Sequence, residues 1–475
     1  MTQADSASNL VPATQRGSPP DVDEGTIRMP PQPKSVRDTG LELALIVELV
    51  TKAMFATGKM HLPVLTGKLR LSINVLREVL GFMLAEQLVE VASRGDSDLD
   101  VTYQLTGNGK LRANDYLSRN RYIGAAPVTL HAYRELVQRQ SARHCHSGRI
   151  SATEMNAAFA DDVLDPMVRD TVGAALQSSR SLLLHGPSGS GKTTLARKIG
   201  QLQQGLVAVP HAILVDREII QVYDPLVHLA PPPLQSRHSE DRRSSDSRWA
   251  LCQRPLIQVG AELCDEMLDL RQDEAGGVYH APPHFLANNG ILLVDDLGRQ
   301  RLATAELLNR WSGPLDSGTD QLSMHGGRKI SVPFDVTLVF ATNLAPHLLL
   351  DDSSMRRIGY KILVGALTES NYRGLFRRQC RMARVAYDDA AMEHLITRLH
   401  APAGRALLAS YPRELLGRIA DFASFAGTDA RLTIPAVEQA WTSMFSACFT
   451  GAVAPSQPSV PFHALSGDPL LERIS

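Results

Sequence analysis

The sequence has no paired cysteines, no long apolar run and almost no net charge. Its five cysteines, Cys145, Cys252, Cys264, Cys380 and Cys448, are scattered without a C-x-x-C pair. That excludes a disulfide scaffold and fits a reducing compartment. No apolar stretch approaches the roughly 18 residues needed to cross a bilayer, and the first residues carry no apolar signal core, so a cytoplasmic location away from membrane is expected. Lys and Arg number 49 against 50 Asp and Glu, a net charge of −1. No bulk field therefore draws the molecule to nucleic acid or an anionic surface, and any such contact must be local. His144-Cys145-His146 is the one metal-like cluster, but three adjacent side chains make a poor tetrahedral set. With 475 residues, 44% of them hydrophobic, the chain can bury two or three ordinary globular domains.

What is present centres on Leu182 to Thr194, reading Leu-Leu-Leu-His-Gly-Pro-Ser-Gly-Ser-Gly-Lys-Thr-Thr. Leu182, Leu183 and Leu184 predict a buried parallel strand. Gly186, Gly189 and Gly191, with Pro187, Ser188 and Ser190 between them, let the backbone turn tightly around a phosphate. Leu195, Ala196 and Ile199 predict a helix whose N-terminus points free N–H groups and a positive dipole end at the anion. The spacing G-x-x-x-x-G-K-T places Lys192 on the β/γ-phosphates and the Thr193 hydroxyl on Mg²⁺, with Thr194 closing the phosphate-binding run.

Further on, Ile291 to Val294 predict a second buried strand, which ends in Asp295-Asp296 just after Asn288-Asn289-Gly290. The first carboxylate reaches the Mg²⁺ water shell, and the second can polarise an attacking water. A strand and glycine loop followed by this acidic strand resembles the AAA+ ATPases. Most members carry Asp-Glu where this chain has Asp-Asp. The shorter carboxylate must approach more closely to act as base, which opens the way to slow turnover.

The resemblance implies ATP and Mg²⁺ as ligands and assigns roles to later residues. Leu302 to Trp311 predict a helix. The strand-turn-strand pattern Gln321–Met324, His325–Arg328, Lys329–Val332 is similar to the hairpin that precedes the sensor-1 strand in one AAA+ group, where it contacts substrate in a ring pore; a plain surface hairpin is the alternative. Val336 to Asn343 is similar to sensor 1, which implies that Asn343 holds the attacking water or the γ-phosphate. Arg356 and Arg357, in Leu350 to Ile358, resemble the segment that presents an arginine finger to the next subunit, a role suited to a planar, permanent cation. Helical patterns over Asn371–Arg384, Asp388–His400, Pro412–Phe425 and Pro435–Phe449 resemble the AAA+ lid, and Arg413 matches sensor 2. Between the two acidic and glycine-rich motifs, Ala212–Val215 and Ile219–Tyr223 flank a turn as in a hairpin, and 231–247 reads as a flexible insertion.

Ahead of all this, Leu45, Ile46, Leu49, Val50 and Ala53 recur at helical spacing, Val64 to Leu69 predict a second helix, and Ser72 caps a third through Leu84. Leu88–Val91 and Val101–Leu105 predict a hairpin. Three helices and a hairpin resemble a winged helix. Its third helix exposes only Asn74, Arg77 and Glu78 as a reading set, and Asp96, Asp98 and Asp100 crowd the wing tip, where phosphates would have to sit. Residues 41–150 hold 14 Lys/Arg against 10 Asp/Glu, so protein docking is preferred to DNA reading.

The expected organisation is a disordered tail (1–38), a winged-helix-like α+β domain (39–120), a linker (121–152), an α/β P-loop NTPase core with a parallel sheet (153–364), a helical lid (365–450) and a loose tail (451–475). The whole resembles bacterial AAA+ proteins with such an N-terminal domain. The expected function is ATP hydrolysis by a homo-oligomeric, hexameric ring that remodels a protein client. The alternative is an ATP-controlled binding switch, or DNA-associated regulator, with slow hydrolysis.

Overall fold

A computed structural model describes residues 29–94, 101–143, 150–160, 162–203, 205–231, 244–273 and 276–445. The His144-Cys145-His146 cluster, the acidic wing tip, most of the 231–247 segment and the 451–475 tail lie outside the described residues. The chain divides into two compact units, Met1–Gly365 and Ala366–Ser475, and each is described by itself. Among the described residues, no helix is long and apolar enough to cross a membrane.

The first unit opens with α1 (Leu43–Thr57), β1 (Met60–His61), α2 (Leu62–Leu69) and α3 (Ile73–Ala85). As its spacing predicts, Ser72 caps α3 by accepting from the Val75 amide. β2 (Val89–Arg94) and β3 (Val101–Leu105) form the expected hairpin, and β1 adds to it in the order β1-β3-β2. Two residues are too few to show strand alternation, so β1 is invisible in the sequence. Residues 30–36, expected to belong to the disordered tail, are held down. The Ser72 hydroxyl donates to the Pro33 carbonyl, the Val36 amide donates to Glu78, and Val36 is buried in the core around Ile46, Leu65 and Val79.

After α4 (Gly107–Arg119) come β4 (Val128–Thr129) and α5 (Leu130–Arg139). This stretch was expected to be a linker with a solvated helix. It is instead part of a core, because Tyr133, Leu136 and Val137 form a short apolar stripe that packs against Val207, Ile213 and Phe285. The stripe is only one turn long and lies among Arg134, Glu135 and Arg139, which hide it.

Helices α6 (Ala152–Ala158) and α7 (Pro166–Gln177) lead to β5 (Leu182–His185) and α8 (Lys192–Leu202). Then follow β6 (Leu206–Pro210), β7 (Ala212–Val215), β8 (Glu218–Gln221), β9 (Trp249–Gln253), β10 (Leu256–Val259), β11 (Arg271–Asp273), β12 (Val278–His280), α9 (Pro283–Leu286) and β13 (Ile291–Val294). The unit ends with α10 (Thr304–Ser317), the hairpin β14 (Thr319–Ser323) and β15 (Lys329–Pro333), β16 (Thr337–Thr342), α11 (Pro346–Leu349), α12 (Asp352–Arg357) and β17 (Tyr360–Leu363).

The central sheet has the order β10-β13-β16-β5-β17, and every neighbouring pair is parallel. Its two faces alternate residue by residue. Leu182, Leu184, Ile291, Leu293, Val339 and Ala341 pack against α7 and α8, while Leu183, Leu292, Val294, Leu338 and Phe340 pack against Leu307 and Trp311 of α10. Burial on both faces is why these strands read as continuous apolar runs.

A second, mixed sheet runs β11-β12-β8-β7-β4. The N-terminal helices dock on it through Ala212 and Ile219. The end of the segment expected to be flexible is clamped here. Asp246 and Arg248, 3% and 5% exposed, pair side by side, and Arg248 also donates to the carbonyls of Thr39 and Pro127. A buried ion pair needs such extra partners to offset its desolvation.

The second unit is helical: α13 (Glu369–Ala383), α14 (Asp389–His394) continuing into a π-helical turn at Leu395–His400, α15 (Tyr411–Phe425) and α16 (Ile434–Phe445). Tyr372, Phe376, Leu395, Leu415 and Trp441 form its core. His400 donates from Nδ1 to the Arg405 carbonyl and accepts at Nε2 from the Tyr372 hydroxyl. Burial pushes its pKa down to about 4, so the imidazole is neutral.

Candidate functional site: a phosphate-binding edge

The residues of the site in the first unit lie at or past the carboxyl ends of the central strands. β5 lies between β16 and β17, so the strands that flank it enter the sheet from later in the chain. That is the topological switch point where open α/β sheets bind ligands. Gly186 to Gly191 occupy it. Gly186, Gly189 and Gly191 have φ of 146°, 83° and 98°, the region that favours glycine. At Gly186 a Cβ would also stand 2.2 Å from the Val364 carbonyl oxygen. Pro187 and Ser188 are exposed and Ser190 is buried. Gly191 is the N-cap of α8, whose first three residues are Lys192, Thr193 and Thr194.

Lys192 is buried, and its ammonium donates to the carbonyls of Gly186 and Pro187 at 3.0 and 2.8 Å. Burial lowers its pKa, against the opposing pull of Asp296 and Asp295. Burial and the charge of Lys192 likewise lower that of His185. The Thr193 hydroxyl donates to Asp295 Oδ1 at 3.0 Å, and the Gln258 amide at the end of β10 donates to the other oxygen at 3.0 Å. Asn343, just past β16, donates to Asp296 Oδ1 at 3.2 Å. The sequence-derived residues Lys192, Thr193, Asp295, Asp296 and Asn343 thus gather at one edge.

The donor set suits a nucleotide and a small divalent cation. A hydroxyl and a carboxylate are hard oxygen ligands appropriate to Mg²⁺, and the glycine turn with a helix N-terminus and an ammonium is an anion cradle. Thr193 and Asp295 would hold the metal, and Gly186 to Thr194 the phosphates.

The two arginines separate. Arg357 donates to Asp316 of α10 at 3.1 Å and to the Ser353 hydroxyl at 2.6 Å. Arg356 is exposed, and among the described residues its side chain has no hydrogen bond or ion pair. Asp351 caps α12 by accepting from the Ser354 amide, a bond that lowers its pKa. Arg413 is exposed on the first turn of α15 in the second unit. The β14–β15 hairpin is present, with Asp320 at its base buried between His284 and Arg310, which hold its pKa down to about 2 against the effect of burial. Near its turn Arg328 pairs with Asp216 and Glu218.

Two site residues escape the sequence. Gln258 is one polar residue in an apolar run, and that is its only signal. Gln300, described below, has none, since its partners are backbone groups of a turn.

A family model described as a domain of unknown function (DUF8689) matches residues 368–443, within the helical unit. No curated protein matches. Among solved structures, NtrX from Brucella abortus in complex with ADP is similar at 16% identity and a TM-score of 0.37, over 60% of this chain and 56% of that one. The RuvB Holliday junction branch migration motor of Thermotoga maritima is similar at 17% identity and a TM-score of 0.34, over 59% of this chain and 70% of that one. The chain thus spans little more than half the length of the NtrX chain. On its own topology, with five parallel strands and a glycine loop at the switch point, the first unit contains an α/β P-loop NTPase core.

Proposed function

We propose that the chain is an AAA+ ATPase that hydrolyses ATP to ADP and phosphate and works as a homo-oligomeric ring on a protein client. The observation that carries this reading is the meeting of Thr193 with Asp295, 3.0 Å apart, beside Asn343 on Asp296. Lys192 binds the β- and γ-phosphates. Bound Mg²⁺ supplies charge neutralisation on those phosphates. Asp296 takes the proton of the attacking water, and Asn343 fixes one oxygen of that carboxylate. Arg356 is the better finger of the two arginines, because Arg357 is engaged by Asp316 and Ser353. Arg413 is assigned to sensor 2 of a helical lid. Magnesium-dependent ATP turnover by the parent chain, lost in Lys192→Ala, tests the reading; equal turnover in the two overturns it.

The N-terminal helices and hairpin are assigned as a winged-helix-like docking module. Protein is favoured over DNA as its partner because residues 33–36 bond to Ser72 and Glu78 of the α3 region, covering part of the helix a DNA reader would insert in a groove. A slow, ATP-controlled switch is the second reading, and the exposed, short Asp296 favours it.

A further inference from the structure

Asp296 is a non-glycine residue in the left-handed region, with φ of 51°, and Gly298 follows at 102°. Something must hold this turn, because ordinary residues leave that region readily. Within the same loop the Asp295 carboxylate accepts from the Asp296 amide at 3.1 Å, and Gln300 bonds three of the turn's backbone groups. Its amide nitrogen donates to the carbonyls of Asp295 and Asp296 at 2.9 and 3.2 Å, and its amide oxygen accepts from the Gly298 amide at 2.8 Å. A longer contact of 3.4 Å reaches the Gly260 carbonyl, just past β10. Neighbouring elements complete the anchorage: the Leu297 amide donates to Ala341 of β16, and the Thr342 hydroxyl donates to the Leu297 carbonyl.

We infer that Gln300 is a positioning residue that straps the Asp295-Asp296 turn, holding the backbone of Asp296 so that its short carboxylate is presented beside Asn343. The strap acts on the backbone, so it fixes the direction of the carboxylate without touching substrate. It rests on the ATPase reading above and adds to it the element that lets an aspartate serve there.

The test is Gln300→Met, which keeps the length of the side chain and removes its donors and acceptor. Two measurements are made on the full chain. Amide hydrogen exchange without nucleotide is expected to rise in the peptide covering 295–300, where the Gly298 amide loses its acceptor, and to stay unchanged in β13 and β16. Steady-state ATP turnover is expected to show kcat down by about tenfold or more with KM within about twofold, the signature of a misaimed group rather than lost binding. Unchanged exchange at 295–300, or kcat within about twofold of the parent, overturns the strap. A parent chain without magnesium-dependent turnover overturns the ATPase reading and the strap together, so the two failures are distinguishable.

Discussion

Lys192 rests on two carbonyls of its own loop, Gly186 and Pro187. These are contacts that an arriving phosphate can outcompete, since an anion is a far better partner for an ammonium than a neutral carbonyl. Lys192→Ala is therefore expected to lose ATP binding or hydrolysis while its melting temperature changes little, because none of the sheet's core packing depends on the ammonium. Asp296→Asn is expected to keep binding and lose turnover, trapping an ATP-bound chain that filter binding detects; parental turnover in that variant removes Asp296 from the base role. The two arginines give a sharper contrast. Arg356→Ala should bind ATP normally and lose on the order of 10³-fold in turnover if it works as fingers do at other phosphoryl-transfer sites. Arg357→Ala, which breaks only a surface pair with Asp316 and a bond to Ser353, should lose much less. The reverse order of effects would exchange their roles.

At the scale of elements, the buried polar network beneath the sheet decides how α5 is attached. Asn289, at φ 62°, donates to the Val137 carbonyl and to Asp335 and accepts from Gln140. Asn289→Ala strands those partners and leaves a β-carbon residue in the left-handed region, so denaturant titration should show a loss of about 2–4 kcal/mol. The π-helical turn makes a different prediction. His400 has a folded pKa of about 4, below its ordinary 6.5, so the unfolded chain binds the proton first. Its contribution to stability is fully present above pH 6.5 and is lost progressively as the pH falls from 6.5 through 4, on the order of 3 kcal/mol. Emission of Trp441, whose ring lies 4.7 Å from that of His400, should report the loss, and His400→Phe should flatten it. Legibility in the sequence follows from the same physics. β5, β13 and β16 were plain because burial on both faces demands unbroken apolar runs. β10 and β17, at the sheet edges, mix Gln258 and Lys361 into four-residue strands and left no pattern. The glycine loop, Asp295 and Asn343 could be grouped from the sequence because the P-loop pattern restricts residue type at fixed spacing, and the structure brings them to one edge. Gln258 and Gln300 could not be, because any polar side chain reads alike until the turn it bonds is known.

For the whole molecule, a finger that serves a neighbour makes activity depend on assembly: turnover per chain should rise with protein concentration, and mixing Arg356→Ala with Lys192→Ala should restore part of it. Concentration-independent turnover with no complementation would point to a monomer. The placement of β5 has a separate consequence. It precedes the 232–243 segment, whereas both strands that flank it, β16 and β17, follow that segment. β6 and β9, one on each side, pair along five residues from Leu206↔Gln253 to Pro210↔Trp249, and Arg248 reaches across to Thr39 and Pro127. A division of the chain between β8 and β9 therefore leaves β5 in one piece and β10, β13, β16 and β17 in the other, so neither piece holds the whole central sheet. Expressed as two polypeptides divided there, the halves are expected to aggregate when made alone and to assemble into one fold on co-expression, with any nucleotide turnover appearing only then.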